Sequence, residues 1–223
     1  MTSFPFDIVG FDLDGTLLDS HRDLAGAVNH ALSLAGRAPL PDDAVRDLIG
    51  GGTRAMLHKA LEVTGGPLPE EQMPALYEAL MVWYEAHMTD LSRFYPGAEA
   101  MLDDLAARGV KLAVVTNKLE RLATKILDDL GQRHRFFTVI GGDTLGPGRS
   151  KPAPDLLDLM IERAGGGKAA YVGDSSFDTG AAKAAGLPCV VVSFGFNDGD
   201  PAALGGTAVI DGFEELAPVL SKL

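Results

Sequence analysis

Asp12 and Asp14 stand one residue apart in Asp12-Leu13-Asp14-Gly15-Thr16-Leu17-Leu18-Asp19-Ser20, directly after the apolar run Phe6-Asp7-Ile8-Val9-Gly10-Phe11. That run reads as a buried strand. Two carboxylates at a strand's carboxyl end lie where an open α/β sheet binds its ligands. Side chains alternate along a strand, so residues two apart would share a face. Gly15 lets the backbone turn at once, which would carry Asp14 out of that alternation and across the site from Asp12. One carboxylate could then serve as nucleophile or metal ligand, and the other as acid and base. The plainer alternative is a turn rich in Asp and Gly, with Asp19 or Ser20 capping the next helix.

Three further places carry compatible groups. Val110-Lys111-Leu112-Ala113-Val114-Val115-Thr116 reads as a strand ending in Thr116-Asn117-Lys118. A hydroxyl and an amide there could bond phosphate oxygens, or could simply cap a helix near Leu119. Lys151 lies in Ser150-Lys151-Pro152-Ala153-Pro154, before a helix started by proline. It is either a solvated lysine or a cation able to neutralise a phosphoryl group or a nucleophilic carboxylate. Ala169-Ala170-Tyr171-Val172-Gly173 is a strand running into Asp174, with Asp178 four residues later. Capping by Ser175 or Ser176 accounts for neither carboxylate. Hard oxygen ligands in this number suit Mg²⁺, which keeps waters and shares carboxylates with a substrate phosphate.

The elements that must position these groups follow from periodicity. Leu24, Val28, Ala31, Leu32 and Ala35 recur at helical spacing up to Gly36. A short helix is expected over Asp42 to Ile49, another from Thr53, and a long one from Pro69 to Met88, starting late or kinked at Pro74. Residues 20–92 show no strand. Beyond them strand and helix alternate, with strands also at Phe136 to Ile140, Cys189 to Ser193 and Val209-Ile210. Helices are expected near 97–108, 119–130, 153–164, 176–185 and 213–222. Such alternation predicts a parallel sheet covered on both faces. The expected fold is therefore α/β: a doubly wound, Rossmann-like parallel sheet from residues 1–19 and 93–223, with an all-helical cap domain inserted at 20–92.

Composition narrows the function classes. The 223 residues suffice for a large core plus a small second domain, and 46% are hydrophobic, which predicts a packed globule. A formal net charge of −12 argues against nucleic acid or an anionic membrane as partner. A small anionic substrate stays open, because a metal and a few cations set the local field. The first residues, Met1-Thr2-Ser3-Phe4-Pro5, lack a basic region of the secretory type, and no apolar run reaches the length of a membrane span. A cytoplasmic protein is expected. The single cysteine, Cys189, forms no internal disulfide and reads as a buried small hydrophobe. The five histidines show no metal-ligand spacing.

In their order along the chain, Asp-x-Asp-Gly-Thr, then Thr116, Lys151 and Gly-Asp-x-x-x-Asp resemble the motifs of the haloacid dehalogenase superfamily, phosphatase branch. The helical insertion is similar to that superfamily's first type of cap. The resemblance implies that Asp12 attacks phosphorus to form an aspartyl-phosphate and that Asp14 protonates the leaving alkoxide, then activates water. It implies Mg²⁺ held by the Asp12 side chain, the Asp14 backbone carbonyl and the Asp174 side chain. Thr116, with Asn117, would bind the phosphoryl group, Lys151 would balance its charge and that of Asp12, and Asp178 would orient Lys151 or a water on the metal. Asp14 sets the chain apart from the dehalogenase branch, which lacks the second acid.

Several stretches resemble phosphoglycolate phosphatases within that superfamily: Ile49 to Leu61, Tyr95-Pro96-Gly97, Val115 to Lys118, Ile140 to Leu145 and Lys151 to Pro154. The expected substrate is thus a small phosphate monoester, 2-phosphoglycolate first. Leu48-Ile49-Gly50-Gly51-Gly52-Thr53-Arg54 is either a plain helix–helix turn or a loop whose N–H groups, with Arg54, bind the substrate's distal anion. The alternatives are a β-phosphoglucomutase-like phosphotransferase, another sugar-phosphate or nucleotide phosphatase, and, outside enzymes, a signalling switch phosphorylated on aspartate. Either a monomer or a homodimer is compatible with the sequence.

Overall fold

The computed structural model describes residues 4–49 and 51–223. Met1 to Ser3 and Gly50, which figured in the sequence expectations, lie outside the described residues. The chain forms two compact units, one from residues 1–18 and 94–223 and one from Asp19–Arg93.

The first unit is built on a six-stranded parallel sheet. Its strands are β1 (Ile8–Phe11), β4 (Lys111–Val115), β5 (Thr138–Ile140), β6 (Ala169–Gly173), β7 (Cys189–Val192) and β8 (Ala208–Ile210). The spatial order is β5-β4-β1-β6-β7-β8. β1 is central because both its faces and both its edges are covered: all four residues are buried, and Phe11 pairs with Val114 on one side and Val172 on the other. The chain winds outward from β1 through β4 to β5, then returns to β6 on the opposite flank. That reversal opens a crevice at the carboxyl ends of β1, β4 and β6, the place where doubly wound sheets bind ligands.

Helices α5 (Ala98–Ala107), α6 (Glu120–Asp129), α7 (Asp155–Ala164), α8 (Ser176–Ala184) and α9 (Leu216–Leu220) connect or follow these strands. The face toward α7 and α8 packs Ile8, Val115, Ile140 and Tyr171 against Leu156, Leu157, Met160, Ala181 and Ala182. Burial on both faces explains why the strands read as continuous apolar runs rather than alternating ones.

The second unit is helical: α1 (His21–Leu34), α2 (Asp42–Arg46), α3 (Thr53–Val63) and α4 (Met73–His87). α1 packs chiefly on α4, burying Leu24, Val28, Ala31 and Leu32. α4 begins at Met73, later than its apolar pattern, because Pro74 sits in its first turn, where its missing N–H has no bond to lose. Asp23 is buried and accepts from the N–H groups of Leu91 and Ser92 and from the Ser92 hydroxyl. It thereby ties the start of α1 to the segment that leaves the unit. The chain enters and leaves through two short strands not expected from the sequence, β2 (Leu18–Asp19) and β3 (Arg93–Phe94), which pair with each other. No helix among the described residues is long and apolar enough to cross a membrane.

Candidate active site

The residue after β1 is Asp12, and its backbone N–H still bonds to Val172 O on β6 at 2.9 Å. The chain then folds into a tight turn in which Leu13 O accepts from the N–H groups of Thr16, Leu17 and Leu18. Gly15 takes φ +82°, and a side chain there would also collide with the Asp174 carboxylate. Glycine is needed for both reasons. The turn carries Asp14 off the strand, to a bridge with Leu18.

Asp12 keeps its carboxylate among buried groups. Its Oδ1 accepts from Leu13 N at 2.7 Å and lies 3.1 Å from Lys151 Nζ. Burial pushes its pKa up to about 6 against the downward pull of Lys151, with the Asp178 charge pushing up and a Thr116 hydrogen bond pulling down. Lys151 donates to three acceptors: Asp12, Asp178 Oδ1 at 2.6 Å and Tyr171 Oη at 2.9 Å. Burial alone would lower its pKa, but Asp12 and then Asp178 outweigh that and hold it up, so the ammonium stays charged. The Tyr171 hydroxyl donates to Val115 O at 2.6 Å, which leaves its lone pairs toward the lysine.

Asp178 is fully buried in the first turn of α8. Its Oδ2 accepts from the Ser175 N–H at 2.9 Å and from the Ser175 hydroxyl at 2.6 Å. Helix capping, which from the sequence seemed to leave Asp178 unexplained, thus includes it: one oxygen caps, the other holds Lys151. Burial opposes its charge, yet Lys151 and the Ser175 bonds keep its pKa below the ordinary value. Asp174, at the end of β6, accepts from the Thr16 hydroxyl at 2.8 Å and from Phe196 N at 2.7 Å. Burial raises its pKa well above the ordinary carboxylate range, and the charges of Asp178 and Asp12 add to that.

Thr116 follows β4 directly, buried, with its hydroxyl accepting from the Lys118 N–H at 3.2 Å. The Asn117 carboxamide donates to Lys151 O at 3.0 Å and accepts from Lys151 N at 2.9 Å. It braces the lysine's backbone. Helix α6 is capped from elsewhere, since Asp143 accepts from Glu120 N at 2.8 Å. Asp14 pairs with Lys118 Nζ at 2.7 Å. Asp12, Asp14, Thr116, Asn117, Lys151, Asp174 and Asp178 therefore all belong to the strand-end crevice of the first unit. Arg54 belongs to the helical unit, where its guanidinium lies 4.6 Å from the centre of the Tyr77 ring.

Lys118, Tyr171 and the Phe194–Asn197 loop were not singled out from the sequence. The loop supplies Phe196 N to the Asp174 carboxylate and Asn197 Nδ2 to the Asp174 carbonyl at 2.7 Å. Only the strand-end position of Tyr171, two residues before Gly173, could have pointed to it.

The donor set suits a hard cation. One oxygen each from Asp12, Asp174 and Asp178 lies within 4.8 Å of the others. These three carboxylates lie close together, and only Asp12 and Asp178 contact the lysine, so burial drives Asp12 and Asp174 toward neutrality unless further positive charge enters. An all-oxygen donor set suits a hard divalent cation rather than a thiophilic metal.

The model of the family described as haloacid dehalogenase-like hydrolase matches residues 9–192. A phosphoglycolate phosphatase of Agrobacterium fabrum is 40% identical, over 99% of this chain and 95% of its own length. One of Caulobacter vibrioides is 41% identical, over 92% and 86%. The crystal structure of a protein from Haemophilus somnus, described as a predicted phosphoglycolate phosphatase, superposes with a TM-score of 0.90 at 30% identity, covering 98% of this chain and 99% of that one.

Proposed function

Because this chain belongs to the haloacid dehalogenase-like hydrolase family, we propose that it is a phosphoric monoester hydrolase whose nucleophile is Asp12 and whose preferred substrate is 2-phosphoglycolate. The observation that carries the chemistry is the pairing of the Asp12 carboxylate with Lys151 at 3.1 Å in a buried crevice, with a second acid, Asp14, on the tight turn that directly follows. The substrate rests on the names of relatives about 40% identical along almost the whole chain.

Asp12 attacks phosphorus as the bond to the ester oxygen breaks, and Asp14 gives its proton to the departing alkoxide. Asp14 then takes a proton from water, which attacks the phosphorus of the aspartyl-phosphate, releasing phosphate and restoring Asp12. Dividing hydrolysis this way replaces one difficult displacement by two easier ones. Lys151 offsets the repulsion between carboxylate and phosphoryl group, and the Thr116 hydroxyl donates to the transferring group. Asn117 and Asp178 hold Lys151 in place, from its backbone and from its ammonium respectively. The side chains of Asp12 and Asp174 and the backbone carbonyl of Asp14 would hold Mg²⁺; Asp178 is already committed to Ser175 and Lys151. Bound there, the ion supplies the positive charge the crevice lacks. We assign specificity to the helical insertion, with Arg54 as the cation for the substrate's carboxylate.

Phosphate release is the test, measured with Mg²⁺ and after EDTA. The panel holds 2-phosphoglycolate, β-glucose 1-phosphate, other sugar phosphates and nucleotides. The expected result is Mg²⁺-dependent turnover with 2-phosphoglycolate preferred, reduced on the order of 10⁴-fold or more by Asp12→Asn. Wild-type turnover by Asp12→Asn removes the nucleophile assignment. A flat panel removes the substrate, and a phosphoaspartate persisting for minutes turns the protein into a switch.

A further inference from the structure

We propose that Lys118 is a positioning residue that holds the Asp14 carboxylate in its proton-transferring orientation; this rests on the role given above to Asp14. The backbone of Asp14 is pinned by the bridge to Leu18, and Gly15 N bonds Leu18 O at 2.9 Å. Its carboxylate is held by Lys118, whose Nζ donates to Oδ2 at 2.7 Å.

The lysine is itself well aimed. Its N–H bonds the Thr116 hydroxyl, and its carbonyl accepts from Gly142 N at 2.9 Å, so both ends of its peptide environment are tied to the loops after β4 and β5. The side chains of Lys118 and Asp14 are only 7% and 16% exposed. A pair so shielded is screened less than a surface pair and loses more when one partner goes. One strand-end turn therefore provides both a hydroxyl at the phosphoryl side and a cation for the acid.

A proton donor matters in proportion to the basicity of the leaving group. Glycolate leaves as an alkoxide and needs the proton, whereas p-nitrophenolate leaves without one. The test compares kcat/KM, which covers the steps through leaving-group departure, for 2-phosphoglycolate and p-nitrophenyl phosphate. The variants are Lys118→Met, Lys118→Arg, Asp14→Asn and the Lys118→Met/Asp14→Asn double variant. Lys118→Met is expected to lose on the order of 10- to 100-fold on 2-phosphoglycolate, and only a few-fold on the aryl ester. Lys118→Arg, which keeps the charge, recovers part of the loss. In the Asp14→Asn background, Lys118→Met costs nothing further, because it acts through the acid already removed.

Losses that multiply in the double variant overturn the proposal, assigning Lys118 to the substrate itself. Equal losses on both esters, with a lowered melting temperature and no recovery in Lys118→Arg, overturn it as well, reducing the pair to a structural one. An Asp14→Asn variant with unimpaired 2-phosphoglycolate turnover is a different failure, since it removes the role given to Asp14 from which the proposal starts.

Discussion

At the end of β1 the carboxylates of Asp12 and Asp178 flank the Lys151 ammonium, and the balance of their charges has a cost that can be measured without any substrate. A free Asp side chain titrates near 3.8, and Asp12 in the folded protein near 6. The folded state therefore holds its proton more tightly than the unfolded chain. The sign follows: stability is lost as pH rises between those values and stays lost above them, by about 3 kcal/mol at most. Asp12→Asn carries no such charge. In EDTA it should be more stable than the wild type at pH 8, by up to about 3 kcal/mol, and no more stable at pH 4 or below. Urea melts at the two pH values check this, and an advantage of equal size at both would contradict it. Tyr171→Phe addresses the same cluster from beneath. It removes the third acceptor of the Lys151 ammonium while both carboxylates remain. The expected destabilisation is about 1–2 kcal/mol, with kcat reduced less than about 10-fold. Denaturant melts and steady-state rates read the two effects separately, and unchanged stability would show that the tyrosine bond is not needed.

The strands and helices that bring these groups together differ in how plainly the sequence announces them. β1, β4, β6 and β7 are runs of apolar residues bounded by turn residues, and burial on both faces makes that signal strong. The polar residues directly after them needed only the strand ends to be placed. β2 and β3, two residues each, are too short for any alternation to show. Lys118 was hidden for another reason. Its partner Asp14 lies 104 residues away, and no local period links them. The Phe194–Asn197 loop reads as an ordinary turn until the fold lays it on Asp174. One element boundary makes a sharp prediction. A side chain at Gly173 would place its Cβ 2.3 Å from Asp178 Cγ and 2.4 Å from its Cβ. The backbone there needs no left-handed angle, so space alone demands glycine. Gly173→Ala should displace the first turn of α8, and with it the Asp178 hold on Lys151. The expected cost is about 1–3 kcal/mol of stability, with more than about 10-fold lost from kcat. A fully active Gly173→Ala would mean that α8 can shift without carrying Lys151 along.

For the whole molecule, the crevice and the helical insertion are expected to make separable contributions. Mg²⁺ that binds only the folded state stabilises it, by about 2.7 kcal/mol at a hundredfold excess over Kd. In a chain of this size that corresponds to a rise of roughly 5–10 °C in Tm. Asp174→Asn should abolish the rise while leaving a cooperative melt. The insertion can be removed altogether. The first unit has its own sheet and core, and Asp19–Arg93 is the second. Leu18 and Phe94 flank the excised segment on strands that pair, and paired strands lie about 5 Å apart. A link of two or three Gly and Ser residues spans that distance. The shortened chain is expected to melt cooperatively, to keep the Mg²⁺-dependent rise in Tm, and to hydrolyse p-nitrophenyl phosphate slowly. It is expected to lose its preference for 2-phosphoglycolate over other esters, because Arg54 leaves with the insertion. Retention of that preference would move specificity into the strand-end crevice. Loss of the Mg²⁺ response along with the preference would show instead that the acidic crevice needs the insertion to keep its shape.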